Sequence, residues 1–232
     1  MISILASVYN SSAHLDNYFK YLNEQFLQEF EVIFVDANSS DDSLQKIKDF
    51  EFREGIKKVI IECGSRVGVY EAWNMAIKIS SNDYVMNYNT DDKLYKNALL
   101  TAQVYCNLLP HMDVIYSNSH ISSDPNHEQY TGWYLWADAN VKANLLGRCC
   151  VGPFPVLKKS KVVESGLFDP SFTISGDYEM WNRMRSKGAK FYKMEEFLGV
   201  YYQNPEGVST KPDPERHNLH VSQDTTIRRM YS

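Results

Sequence analysis

The stretch "VMNYNTDDKLYKN", Val85 to Asn97, decides the reading of this chain. Val85, Met86 and Tyr88 belong in a buried strand, yet the run ends in Asn89-Thr90-Asp91-Asp92. Two adjacent carboxylates repel one another, and burial raises that cost. Such a pair calls either for a solvated loop or for a cation, and the segments around it discriminate between the two.

Upstream, apolar strands alternate with helix-period segments. Ile2–Val8 is a short buried-strand run, and Leu15, Tyr18, Phe19, Leu22 and Phe26 then fall at helical spacing. "FEVIFVD" (Phe30–Asp36) predicts a second strand. Ser39 followed by Asp42 resembles a capping box opening a helix. "KVIIE" (Lys58–Glu62) predicts a third strand, and Val69, Ala72, Trp73, Ala76 and Ile77 mark an amphipathic helix. "DYVMNYN" is the fourth strand, "NALLTAQVYCNLL" a helix, and "DVIYSN" (Asp113–Asn118) a fifth strand. This alternation predicts an α/β fold, a Rossmann-like, mainly parallel sheet with helices on both faces.

The pattern weakens after residue 119. "SSDPNHEQYTG" reads as a polar loop, and Gly147–Pro155 as irregular. A helix is expected over Gly176–Lys187. "KFYKMEEFLGVYY" reads as a short strand pair or a strand and turn. The tail from Asn204 reads as a loop and a short final helix. With no repeat and no linker, we expect one domain over residues 1–232. Residues 1–118 form its nucleotide-type half, and residues 119–232 its acceptor-type half with a flexible tail.

Composition narrows the function classes. The chain has 232 residues, 44% of them hydrophobic, and a net charge of −5, which suits a large globular domain. No basic stripe runs along a helix, so no nucleic-acid partner is expected. No apolar run approaches the ~20 residues of a membrane span. "MISILASVYN" lacks a basic n-region and a cleavage site, and reads as a strand rather than a signal peptide. Cys63, Cys106, Cys149 and Cys150 show no CxxC spacing. They read as reduced, mostly buried thiols of a cytosolic protein.

In open parallel α/β sheets, ligands bind beyond the carboxyl ends of the strands. There the sequence places Ser7-Val8-Tyr9-Asn10, then Asp36-Ala37-Asn38-Ser39-Ser40, then Gly64-Ser65-Arg66-Val67-Gly68, and finally Asn89-Thr90-Asp91-Asp92. Each has an ordinary reading. Asp36 could serve a turn, Arg66 could be a solvated charge, and Asp91-Asp92 a solvated loop. Placed together on one edge, they suit a nucleoside diphosphate.

"SVYN…VDANSSDDS…GVYEAWNMAI…DYVMNYNTDD" resembles the nucleotide-binding half of family 2 glycosyltransferases, which have the GT-A fold. "GPFPVLKKSKVVESGLFDPSFTISGDYEMWNRM" is similar to the acceptor-side block of that family, and "FLGVYYQNPEGVS" to its closing strand and flexible loop. The resemblance covers nearly the whole chain. Two departures stand out. Ala37 replaces the second carboxylate after strand two, leaving a base contact to Asp36. Thr90-Asp91-Asp92 also lacks an acid at the first position of the Asp-x-Asp motif.

The resemblance implies an inverting, metal-dependent enzyme. The donor would be a nucleotide-diphospho-sugar, most often a UDP-sugar, and the acceptor a hydroxyl of a glycan or lipid-linked saccharide. It implies that Ser7, Tyr9, Asp36, Arg66 and Asp91 bind the nucleotide sugar, with Asp91 toward the ribose or donor sugar. Asp92 would hold Mn²⁺ or Mg²⁺, hard cations that take oxygen ligands, and Asp177 would be the general base. Glu179 is the weaker candidate. His217, His220 or Lys211 would join the site only on loop closure. Trp181 and "GWYLWADAN" read first as core packing. A lipid-linked acceptor would be met by peripheral contact at the inner face of a membrane. A sugar-nucleotide nucleotidyltransferase would carry a Gly-rich Arg/Lys signature after strand one, which "SVYNSSAHLDN" lacks. An inactive binding module would not need both Asp92 and Asp177.

Overall fold

The computed structural model describes residues 1–207 and 210–232. Its strands are β1 (Ile2–Val8), β2 (Phe30–Asp36), β3 (Ile56–Glu62), β4 (Tyr84–Asn87), β5 (Lys93–Leu94), β6 (Val114–Ser122), β7 (Gly132–Tyr134), β8 (Val156–Lys158) and β9 (Phe191–Tyr202). Its helices are α1 (Ser12–Asn23), α2 (Ser43–Asp49), α3 (Val69–Ile79), α4 (Ala98–Leu108), α5 (Lys142–Gly147), α6 (Lys159–Ser165), α7 (Gly176–Ser186) and α8 (Pro214–Tyr231).

The apolar runs of the first half become four parallel strands in the order β3-β2-β1-β4. Every residue of β2 is buried, as a central strand covered on both faces requires. Alternation along β1 sorts the core into two layers. Ile2, Ile4, Ala6 and Val8 meet α1, α2 and α4. Leu5 faces the layer built by α3, α5, α6, α7 and α8. Each fully buried Ile, Val or Phe contributes about 1.5–3 kcal/mol relative to exposure.

The sheet continues beyond β4 as β8-β6-β9-β5, with β7 on β6. β8 runs antiparallel to both β4 and β6, so the fourth and fifth strands of the sequence reading are not neighbours. Long registers are parallel (β1, β2, β3, and β6 with β9) and short ones antiparallel. The mainly parallel, helix-flanked sheet is therefore present.

Glu31 is a buried carboxylate inside this sheet. It accepts from Ser3 Oγ at 2.7 Å, Ser81 N at 2.9 Å and Lys57 Nζ at 2.7 Å. Burial alone would lift its pKa. The Lys57 pair and the Ser81 and Ser3 donors outweigh burial and bring the carboxyl down to about 2.

Several expectations are corrected. The third strand starts at Ile56, not Lys58, because Ile56 and Lys57 pair with Phe30 and Glu31. The Ser39–Asp42 capping box does not form. Asp42 is the N-cap residue of α2 and makes no side-chain cap bond, while Ser39 Oγ accepts from the N–H of Asn10. "KFYKMEEFLGVYY" is one strand, whose register with β6 shifts at Asn118. The final helix is not short, with 18 residues. In "GWYLWADAN" only part is core: Ala139 is buried, but Trp133 is 64% exposed and Leu135 58%. Trp181 does pack in the core, edge-on to Phe168. The last two residues of "FLGVYYQNPEGVS" lie outside the described residues. No described helix is long and apolar enough to cross a membrane.

Candidate active site

Two loops form the floor of the cleft at the carboxyl edge of β1 and β2. Val8 pairs with Asp36, so the two chains leave the sheet side by side. Asn10 (φ 49°) and Asn38 (φ 62°) adopt left-handed backbone, a conformation that short polar side chains tolerate. The turns then bond to each other. Asn10 N donates to Ser39 Oγ at 3.0 Å, Ser40 N to Asn10 Oδ1 at 2.8 Å, and Ser11 N to Ser43 Oγ at 2.8 Å.

Asp36 sits at the base of this floor, 2% exposed. Its Oδ2 accepts from Ser39 N at 3.1 Å, and its Oδ1 is buried with no partner among the described residues. An acceptor left unpaired in this way costs free energy until a donor arrives. The Arg66 guanidinium lies 4.2 Å from the centre of the Tyr9 ring, a cation–π geometry. The structure thus brings Tyr9 and Arg66 together, and Tyr9 follows Val8, the strand partner of Asp36. Ser7 belongs to the alternate set of β1 side chains, with Leu5. It is half-buried and paired with Val35, so strand parity puts it on the opposite sheet face from Asp36.

The acidic pair divides into two environments. Asp92 is 2% exposed. Its Oδ1 accepts from Tyr202 N at 2.9 Å, which ties the motif to β9, and its Oδ2 has no partner among the described residues. Burial, and then the charge of Asp91, push the Asp92 carboxyl well above the usual carboxylate range. Asp91 is half-buried and accepts from Asn204 Nδ2 at 2.8 Å. Its carbonyl accepts from His127 Nε2 at 2.9 Å. A carbonyl only accepts, so the contact puts a proton on His127 Nε2, and burial lowers the pKa of the ring. No group of three metal-ligating side chains occurs among the described residues. Yet a half-open carboxylate, Asp91, beside a second, buried one fits a hard cation whose remaining ligands would come from a diphosphate.

Asp177 opens α7, as expected. Its Oδ1 accepts from Tyr178 N at 2.8 Å and lies 3.2 Å from the Tyr70 hydroxyl. Burial raises its pKa, the two donors oppose that, and the charge of Asp224 adds to it. Glu179 is otherwise engaged. Arg183 grips both its oxygens at 2.8 Å, and the Tyr231 hydroxyl donates to Oε1 at 2.6 Å. Lys211 pairs with Glu206 at 2.6 Å. His217 and His220 line a cavity of about 600 Å³ with Lys211, Arg216 and Ile174.

Sequence reasoning missed Tyr70, His127, Tyr202 and Asn204. Only Tyr70 carried a signal, in "GVYEAWN", where the Asn74 side chain donates through Nδ2 to the Phe168 carbonyl at 2.7 Å and accepts at Oδ1 from the Phe168 N–H at 2.9 Å. Those bonds lock α3 to the segment leading into α7.

Comparison with known proteins places this edge in context. Residues 3–160 match the profile described as "Glycosyl transferase family 2". That span holds β1 to β8 and stops short of Asp177. The chain is 24% identical over 220 residues to the amylovoran biosynthesis glycosyltransferase AmsB of Erwinia amylovora, covering 86% of this chain and 69% of that one. It is 22% identical over 207 residues to the GalNAc(5)-diNAcBac-PP-undecaprenol beta-1,3-glucosyltransferase of Campylobacter jejuni, covering 88% and 66%. The fold matches S. aureus TarS 1–349 in complex with UDP-GlcNAc, with TM-score 0.77, 14% identity, and 97% and 66% of the two chains covered. It also matches the mannosyltransferase PcManGT of Pyrobaculum calidifontis in complex with GDP-Man and Mn²⁺, with TM-score 0.74, 15% identity and 97% and 63% covered. The chain thus spans about two thirds of the length of these relatives. On the match over residues 3–160, the chain belongs to glycosyl transferase family 2.

Proposed function

We propose that the protein transfers a sugar from a nucleotide-diphospho-sugar to a hydroxyl of a glycan or lipid-linked saccharide, inverting the anomeric centre. The carrying observation is the unpaired Oδ1 of Asp36 at the strand ends where Tyr9, stacked on Arg66, follows the paired Val8. It supports a base that offers one N–H to Asp36 while its face meets the aromatic ring. Uracil and thymine present a single ring N–H. Guanine presents two adjacent donors and would compete for Oδ2, which Ser39 already holds. This favours a pyrimidine nucleotide, and of the two, the resemblance to family 2 enzymes favours a UDP-sugar as the donor.

The geometry favours exchanging the roles expected of the acidic pair. A cation that bridges to a diphosphate must be reached from the cleft. Asp92 is closed off and anchored to β9, whereas Asp91 is half-open. Asp91 would hold the Mn²⁺ or Mg²⁺, with Asp92 as the anchor behind it. When bound, that cation supplies Lewis-acid stabilisation of charge on the leaving diphosphate.

One displacement completes the transfer. The acceptor oxygen bonds to the anomeric carbon as the bond from that carbon to the diphosphate oxygen breaks. The electron pair leaves with the nucleoside diphosphate, and the acceptor proton passes to the Asp177 carboxylate. A single base with no protein nucleophile gives inversion, unlike glycoside hydrolysis with two carboxylates. The undecaprenol carrier in the name of the Campylobacter relative supports an acceptor met at a membrane surface.

The test is a thermal-shift panel of UDP, dTDP and GDP, each with and without Mn²⁺, followed by transfer assays with the matching sugar nucleotides. Selective binding to the native state raises its melting temperature. Stabilisation by UDP that needs Mn²⁺ is expected, and equal shifts with all three nucleotides, or none, would overturn the donor assignment.

A further inference from the structure

The helix carrying Asp177 is held in place from the other end of the sequence. Gln223 of α8 is buried, and its Oε1 accepts from two backbone N–H groups, Ile174 and Ser175, each at 3.0 Å. Its amide nitrogen donates to Thr173 Oγ1 at 3.3 Å. Beside it, Asp224 Oδ1 accepts from Ser175 Oγ at 2.7 Å. Ser175 is the N-cap residue of α7, yet its side chain makes no cap bond to its own helix. A cap serine ordinarily accepts from a first-turn N–H. Here the hydroxyl turns outward and donates to α8 instead.

The same face of α8 continues along α7. Ile227 is fully buried in the shared core, and Tyr231 donates to Glu179. Gln223, Asp224, Ile227 and Tyr231 follow the three- and four-residue spacing of one helix face. α8 therefore grips the segment that delivers Asp177, two residues before the carboxylate.

We propose that Gln223 and Asp224 are positioning residues for sugar transfer, clamping Ile174 and Ser175 so that the Asp177 carboxylate stands at a fixed place in the cleft. The proposal rests on the reading of Asp177 as the base. A displacement of about 1 Å at a reacting group can cost about 10²-fold in rate, so a clamp on the adjoining backbone has leverage on turnover.

Asp224 adds an electrostatic signature. The Tyr70 hydroxyl from α3 and the Tyr178 N–H of its own helix contact Asp177, and Cys149, from the segment after α5, and Asp224 from α8 are within its electrostatic reach. Asp224 is itself 3.6 Å from both Arg228 and His220. Its negative charge opposes ionisation of Asp177. An Asp224→Asn variant keeps an oxygen for Ser175 and removes the charge, so the acidic limb of the kcat profile moves to lower pH.

The experiment uses the full chain with UDP, Mn²⁺ and the sugar nucleotide selected by the panel above. Gln223→Leu is expected to lower kcat about 10–100-fold, with UDP affinity unchanged and amide exchange accelerated at Ile174 and Ser175. Gln223→Glu keeps the acceptor oxygen and adds a charge beside Asp224, so slow exchange at Ile174 and Ser175 should return while the acidic limb moves to higher pH. Near-normal kcat in a folded Gln223→Leu protein would overturn the clamp. Should Gln223→Leu fail to fold, Asp224→Ala removes the acceptor of the Ser175 hydroxyl, and unchanged kcat and amide exchange there would overturn it. Asp177→Asn run in parallel separates the two readings. Retained transfer there defeats the base assignment, whereas loss there with unaffected Gln223 and Asp224 variants defeats only the clamp.

Discussion

The Tyr70 hydroxyl stands 3.2 Å from Asp177 Oδ1 and 2.6 Å from the carbonyl oxygen of Ile174. A hydroxyl has one proton, so it can serve one of these acceptors at a time. With Asp177 ionised, the proton turns to the carboxylate; with Asp177 protonated, the carboxyl can donate to Tyr70 and leave its proton on Ile174. The contact joins α3, which follows the Arg66 loop, to the base on α7. It depends on Gly176, where a Cβ would lie 2.7 Å from the Tyr70 ring. Tyr70→Phe removes a donor that favours the ionised base. The acidic limb of kcat should move to higher pH, with a rate loss of about tenfold near neutrality. A pH–rate series against the wild type checks both.

Asp177 carries a stability cost that its replacement should reveal. Its folded-state pKa is raised by burial, so the native state binds more protons than the unfolded chain between the two values. Stability therefore falls as pH rises through that window. Asp177→Asn cannot ionise. It should melt higher than wild type at pH 8, by roughly 2–4 °C per kcal/mol regained, and lose about 10²–10⁴ in transfer rate. Calorimetry at pH 8 and an endpoint transfer assay provide the check.

The acidic pair should separate under mutation. Asp91→Asn is expected to abolish Mn²⁺-dependent UDP binding in a protein that melts normally. Asp92→Asn keeps an acceptor for the Tyr202 N–H and cannot ionise, so it should melt at least as high as wild type at pH 8 and keep its Mn²⁺-dependent UDP binding. Titration calorimetry with and without chelator distinguishes them. Loss of metal dependence only in Asp92→Asn would return the ligand role to Asp92.

For Asp36→Ala, the donor Michaelis constant should rise roughly 10–100-fold while kcat changes little, because a charge-assisted hydrogen bond to the base is worth about 1.5–3 kcal/mol. An unchanged constant would mean that Asp36 only supports Ser39 and its turn.

Glu31 sets an acid limit on the fold. With its carboxyl at about 2 against 4.5 in the unfolded chain, its stabilisation is complete above the unfolded value and is lost as pH falls toward 2. Glu31→Gln should destabilise the protein by about 1–3 kcal/mol at pH 7 and show a shallower loss between pH 4.5 and 2. Urea melts across that range measure the difference.

The first four strands were legible because each is an apolar run long enough to show its period, and the edge they share follows from parallel winding. β8 was not, since three residues, Val156–Lys158, show no periodicity. β9 looked like two pieces because Glu195 and Glu196 interrupt the apolar pattern close to its register shifts with β6. α8 was read as short because its burial rests on Gln223 and Ile227 alone, and much of its grip is polar. Of the site, Tyr9, Asp36 and the acidic pair could be placed from strand ends. Which acid of the pair is buried could not, because the N–H of Tyr202 that bonds to Asp92 lies 110 residues away. Tyr70 and Asp177 are likewise 107 residues apart.

The position of β8 has a consequence for how the chain is made. β4 is complete at Asn87, but the strand that covers its open side pairs Met86 with Val156. At 5–20 residues per second of synthesis, that edge waits on the ribosome for roughly 4–14 s. Throughout that interval the open side of β4 offers an uncovered row of N–H and C=O groups, a template for pairing with other chains. Residues 1–118 therefore cannot mature ahead of the segment that carries β8. Residues 1–118 expressed alone should aggregate, and co-expression with residues 119–232 should restore solubility by supplying β8.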